Sequence, residues 1–125
     1  MKTLLLVATG GAAGAVTRYL AGLAVYRWVP AERFPLATLV VNVLGCFAIG
    51  FLNDWPATRA AGSPELRLLL VVGFLGAFTT YSAFGAETVL LIRGGETVKA
   101  LVNVGVHLAA GLGAVILGSL VAREW

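Results

Sequence analysis

Two asparagines, one histidine and a Thr-Thr-Tyr-Ser run stand inside otherwise apolar stretches of this chain. Thr38 and Asn42 are four residues apart, as are Asn103 and His107, so each pair falls on one face of a helix. Thr79, Thr80 and Ser82 add hydroxyls, Tyr81 and Phe84 lie three apart, and Arg18 and Glu87 sit towards the ends of their apolar stretches. Polar groups inside a membrane are costly to leave unpaired, which makes them candidates for function. No Ser/His/Asp set or paired acids suggest catalysis, and no ligand cluster suits a transition metal. Neutral donors beside a pathway fit a permeating anion better than an enzyme substrate.

Each of these residues also has a structural reading. Ser and Thr in membrane helices bond back to their own i−4 carbonyl. An Asn can clamp two helices together, and His107 can be a satisfied helix–helix contact. Tyr81 and Phe84 at helical spacing can pack on each other. Arg18 can snorkel to the headgroups. The number and grouping of the residues, rather than any single one, favour a pathway.

The elements that would hold them are membrane helices. The chain has 125 residues, of which 59% are hydrophobic and 12% charged, and its mean hydropathy is +0.92. Soluble domains carry about 25% charged residues. A helix needs roughly 20 mostly apolar residues to cross the hydrocarbon core. Four stretches qualify, at about Leu4–Tyr26, Leu36–Leu52, Leu68–Ile92 and Ala100–Ala122, giving one four-span domain over residues 1–125. Their apolar runs are continuous rather than alternating, which argues against a β-barrel. Lys2 and the run after it imitate the start of a signal peptide, but the run continues past any cleavage site. Cys46 has no partner for an intrachain disulfide, and a thiol in an apolar site is normally inert. The basic residues form no stripe or cluster of the kind that binds nucleic acid.

The breaks are short. Arg27–Pro35 carries Pro30 and Pro35, Asn53–Pro64 carries Asp54, Pro56, Gly62 and Pro64, and Arg93-Gly94-Gly95 reads as a tight turn. Tyr26, Trp28, Trp55 and Trp125 fall at span ends, where amphipathic rings favour the interface. With four spans, Lys2, Arg59, Arg67 and Arg123 share one side, and Arg27, Arg33, Arg93 and Lys99 share the other. Orientation follows an imbalance of Lys and Arg, and here the sides are equal. The charges therefore favour neither orientation, which suits copies inserted both ways up and paired antiparallel. Helix hydrophobicity remains an alternative determinant. Sixteen glycines, including Gly10-x-x-x-Gly14, permit close helix packing, within one subunit or between two.

Three stretches carry a resemblance to a known family. Gly73-Phe74-Leu75-Gly76-Ala77-Phe78-Thr79-Thr80-Tyr81-Ser82-Ala83-Phe84 is similar to the G-F-x-G-x-x-T-T-F-S-T-F pattern of the CrcB/Fluc family of fluoride channels. Gly10–Tyr19 resembles its G-G-x-x-G-A-x-x-R-Y, and Thr38–Gly45 its T-L-x-V-N-x-x-G. The likeness follows all four spans in order.

The resemblance implies an all-α membrane protein of the cell inner membrane, built as an antiparallel, dual-topology homodimer. Two fluoride pores would run along the subunit interface. The third helix would be broken mid-membrane, and the backbone carbonyls of Gly76 and Thr79 from both subunits would hold a central sodium ion. Pore-lining roles map to Asn42, Tyr81, Ser82, Phe84 and Asn103, with His107 four residues beyond Asn103, and a vestibule role maps to Arg18. Glu87 matches a family acid with no task assigned to it here. Three positions depart from the pattern: Tyr81 replaces a Phe, Ala83 a Thr, and His107 a Ser or Thr. The implied activity is passive export of fluoride, which relieves its toxicity. Two alternatives stand beside it. A small multidrug or guanidinium exporter also has four spans but depends on a Glu in its first helix, and this chain has none there. A degenerate subunit needing a related partner would suit the three departures.

Overall fold

A computed structural model describes residues 1–29, 34–55 and 63–124. Pro30, Arg33, Pro56, Arg59, Gly62 and Trp125, named above as breaks, counted charges and an interfacial ring, lie outside the described residues. The described spans are helical except at Thr79 and Thr80 in the third. The first span is α1 (Lys2–Tyr26) and the second α2 (Leu36–Asp54). The third is composite: α3 (Pro64–Arg67), a π-helical segment (Leu68–Leu75), α4 (Gly76–Phe78) and α5 (Tyr81–Arg93). The fourth is α6 (Thr97–Arg123). Four helices are thus long and apolar enough to cross a membrane. At 1.5 Å per residue even the 19 residues of α2 reach about 28 Å, close to the hydrocarbon thickness.

Local chemistry sets several boundaries. Ser63 caps α3, accepting a hydrogen bond from the Leu66 amide, with Pro64 at the first helical position, where its missing N–H is no loss. The α5–α6 turn closes through Gly95 N–H to the Ile92 carbonyl at 3.0 Å and Glu96 N–H to Leu91 at 2.8 Å. Gly95 takes φ 79° there, a left-handed conformation that glycine adopts without a Cβ penalty.

The spans pack backbone to backbone through glycine. A Cβ on Gly10 or Gly14 would run into the π-helical segment and the Phe74 carbonyl, and one on Gly73 into Val7 of α1. On the other side Gly50 faces Val115 and Gly118 faces Phe47, so α2 and α6 meet closely. The second span is the most buried of the four. Its Val41 packs with Leu75 and Phe78, and Ala48, Ile49 and Phe74 surround them. Leu4, Leu5, Leu101, Leu112, Ile116 and many other apolar side chains stay exposed, the arrangement expected where lipid rather than water is the solvent.

Ion pairs tie the span ends. Lys2 Nζ lies 3.0 Å from Glu65 Oε1, linking the start of α1 to α3. Asp54 accepts from Arg123 Nε at 2.9 Å and from Ser119 Oγ, linking the ends of α2 and α6. These contacts gather both termini and the second loop's flanks on one side, as an up-down-up-down path requires. Lys99 pairs with Glu96 at 3.0 Å on the other.

Candidate functional site

In the middle of the third span the backbone leaves the helix. Thr79 (φ −85°, ψ 157°) and Thr80 (φ −150°, ψ 112°) are extended, between α4 and α5. Asn42 holds this point from α2. Its Nδ2 donates to the Thr80 carbonyl at 3.1 Å, and its Oδ1 accepts from the Thr80 amide at 2.8 Å. Within an unbroken helix that amide would donate to the carbonyl of Gly76. Thr80 Oγ1 then accepts from the Ala83 amide at 3.1 Å, capping α5, and lies 3.1 Å from Ser82 Oγ. The Thr79 hydroxyl bonds back to the Leu75 carbonyl at 3.1 Å.

Two open cavities flank the extended residues. The first, about 630 Å³, lies among α1, α2 and α5; Arg18, Thr38, Thr80 and Ser82 contribute its polar lining, with Tyr19 and Tyr26. The second, about 370 Å³, lies among α2, the third span and α6. Its walls include Asn42, Gly76, Thr79, Tyr81, Phe84 and His107. Thr80 touches both, so the interrupted backbone separates them.

The sequence-derived residues are therefore divided. Asn42, Gly76, Thr79, Tyr81, Phe84 and His107 share the second cavity, while Arg18 and Ser82 line the first. Tyr81 is 84% exposed; its ring and that of Phe84 are 5.6 Å apart, and Phe84 lies 4.4 Å from His107. These three rings form a continuous aromatic wall. Asn103 lines neither cavity and is 0% exposed. Its Nδ2 donates to Thr88 Oγ1 at 2.9 Å, and the Thr88 hydroxyl donates to the Phe84 carbonyl at 2.7 Å. Glu87 bridges α5 to α2, accepting from Thr38 Oγ1 at 2.6 Å; Thr38 is only 8% exposed.

Thr80 is the residue whose part the sequence did not disclose. Its hydroxyl caps α5 while its amide and carbonyl hold Asn42, and a Thr before a helix is the one available signal. Cys46, read as an inert thiol, also lines the second cavity. Gly45 is equally local in its effect: a Cβ there would strike Thr79 Cγ2, so the glycine lets the extended residue sit against α2.

Residues 5–119 match the family described as CrcB-like protein, Camphor Resistance (CrcB). The chain belongs to the CrcB family. It is a multi-pass membrane protein. A relative from Chlorobaculum tepidum is 46% identical over 125 residues, covering 100% of this chain and 98% of its own. One from Solibacter usitatus is 47% identical over 120 residues (96% and 98%), and one from Hydrogenovibrio crunogenus 43% over 122 (98% and 92%). All three bear the name "Fluoride-specific ion channel FluC". Such identity across all four spans makes the family assignment independent of any single motif.

Proposed function

We propose that this chain is a fluoride channel that lets the anion leave the cell passively and so reduces its toxicity. The observation that carries the reading is the identity of 43–47%, over nearly the whole length, to relatives named as fluoride-specific channels. The site chemistry supports it. Fluoride is small and strongly hydrated, and a pore must replace its water with close donors. The second N–H of Asn42 Nδ2 remains after the bond to Thr80, and Ser82 and Tyr81 carry hydroxyls. The edges of Tyr81 and Phe84 bear the positive part of the ring quadrupole, a weak anion contact that does not trap the ion. Arg18 attracts anions towards the first cavity.

The working unit is an antiparallel homodimer inserted in both orientations in the inner membrane. A lone protomer would offer lipid two open cavities and, beside Thr79–Thr80, the Gly76 carbonyl that the diverted Thr80 amide leaves behind, and an unpaired polar group in hydrocarbon is costly. The balanced Lys and Arg count supports copies of opposite orientation. A second copy laid across the third span would cover Tyr81 and Gly76, both exposed in the protomer.

The third-span interruption also fits a sodium ion. Thr80's amide is diverted to Asn42, which releases the Gly76 carbonyl from the bond a continuous helix would make. Gly76 adds no side chain to obstruct it, and Thr79's extended backbone turns its carbonyl off the helix axis. Interrupted membrane helices use such carbonyls for cations. Gly76 and Thr79 of two copies would hold the ion, which supplies positive potential at the dimer centre.

Purified protein in liposomes, followed with a fluoride electrode, tests the reading. Rapid fluoride efflux that outpaces chloride, needs no proton gradient and falls when sodium is replaced by N-methylglucamine is expected. Efflux of guanidinium in exchange for protons, or fluoride efflux only after a related chain is added, would replace this reading with an exporter or an incomplete subunit.

A further inference from the structure

His107 presents the wrong chemistry to fluoride while its ring is neutral. Its Nδ1 lies 2.9 Å from the Asn103 carbonyl oxygen. A carbonyl only accepts, so Nδ1 carries the ring proton and Nε2 is left with a lone pair. That Nε2 is buried and has no partner within the protomer. Two neighbouring buried atoms share the condition: Asn103 Oδ1 and Glu87 Oε2. All three are acceptors when the histidine is neutral and the acid ionised. Fluoride is an acceptor too, so the His107 ring that walls the second cavity gives the anion neither a positive charge nor a donor while it is neutral.

The surroundings narrow what can change. Packed against this part of α6 are α5, which brings Tyr81, Phe84 and Glu87, and α2, which brings Asn42 and Cys46. Tyr81 and Cys46 are neutral donors in their ordinary forms, and Glu87 has one oxygen committed to Thr38. His107 is the histidine among the residues lining the second cavity, and histidine is the side-chain type suited to a charge change near physiological pH.

We propose that fluoride occupies the second cavity together with a proton on His107 Nε2. The imidazolium puts at the cavity wall the positive charge that the neutral ring lacks, so neutral His107, one proton and one fluoride combine into an imidazolium–fluoride pair. This rests on the fluoride reading above and adds its regulation: the path fills when the surroundings are acidic, the condition under which fluoride accumulates in cells. Linkage makes the effect reciprocal, so whatever factor protonation gives fluoride affinity, fluoride gives proton affinity.

The chain contains one histidine, so ring-labelled histidine yields a single pair of 15N resonances. Titrating the labelled protein in lipid nanodiscs, once in fluoride and once in chloride, reads the linkage directly. Fluoride is expected to shift the protonation midpoint upward by about one pH unit, corresponding to about tenfold coupling, and chloride to leave it in place. In liposomes, fluoride efflux should rise at least about fivefold between roughly pH 8 and pH 6, with the rise absent in His107→Gln. Coincident midpoints in the two halides would overturn the proposal, as would an efflux profile with the same pH slope in His107→Gln. Should the variant not assemble, the titration of the unaltered protein decides alone. Absence of efflux at every pH would remove the channel reading, and the halide titration would still report whether the histidine binds fluoride.

Discussion

Asn42→Ala removes the side chain that bridges α2 to the interrupted backbone of the third span, and its effect can be worked from two distances. The amide of Thr80 donates to Asn42 Oδ1 at 2.8 Å, and the Thr80 carbonyl accepts from Nδ2 at 3.1 Å. Truncation leaves both backbone groups unpaired at a partly buried site. An unsatisfied buried donor or acceptor costs about 1–3 kcal/mol, so the pair sets a range of ~2–6 kcal/mol. Thr80 borders both cavities, where water relieves part of that cost, and a loss of ~3 kcal/mol is the working value. Unfolding in mixed micelles measures the stability change, and hydrogen exchange at the Thr80 amide locates it. Asn42→Asp sharpens the test. It keeps an oxygen for the Thr80 amide but sets a second oxygen against the Thr80 carbonyl, so it should restore little. A loss below about 1 kcal/mol, with Thr80 exchanging no faster than before, would refute the clamp. Fluoride efflux is expected to disappear in both variants.

Two other substitutions follow from the packing. Gly50→Ala and Gly118→Ala each place a methyl group on the backbone of the facing helix and should destabilise by about 1–3 kcal/mol. Gly113→Ala has nothing within 4 Å and should stay within about 0.5 kcal/mol in the protomer; the same micelle unfolding compares all three. Thr38→Val removes the hydroxyl that donates to Glu87 at 2.6 Å and should cost about 1.5–3 kcal/mol if the acid is ionised. Thr38→Ser should recover most of it, and equal losses in the two variants would assign the effect to packing.

What was legible in the sequence depended on the range of the physics involved. The four spans needed only length and hydropathy, and Leu36–Asp54 and Thr97–Arg123 enclose the apolar stretches read at 36–52 and 100–122. Back-bonding of hydroxyls is also local: Thr17, Thr79 and Thr88 each donate to their i−4 carbonyl. The four-residue spacing of Asn103 and His107 put both on one helix face, but not at one depth. Asn103 is spent on Thr88, and its neighbour one turn on reaches the cavity. The π-helical stretch Leu68–Leu75 has no signal in its own apolar residues; it runs where Gly10 and Gly14 bring α1 against its backbone.

The interruption at Thr79–Thr80 joins both kinds of information. Two β-branched residues weaken a helix only slightly, far too little to unwind it inside a membrane, where each lost backbone bond is expensive. The extended form persists because replacements are at hand. Asn42 takes the Thr80 amide and carbonyl, Thr80's own hydroxyl takes the Ala83 amide, and Gly45 makes room for Thr79. Thr80's hydroxyl is a local cap, whereas Asn42 acts across 38 residues of chain. A search for helix breakers within the third span therefore finds nothing decisive, since the group that stabilises the break belongs to the second. The Thr-Thr pair makes the break possible, and the asparagine across from it makes it stable.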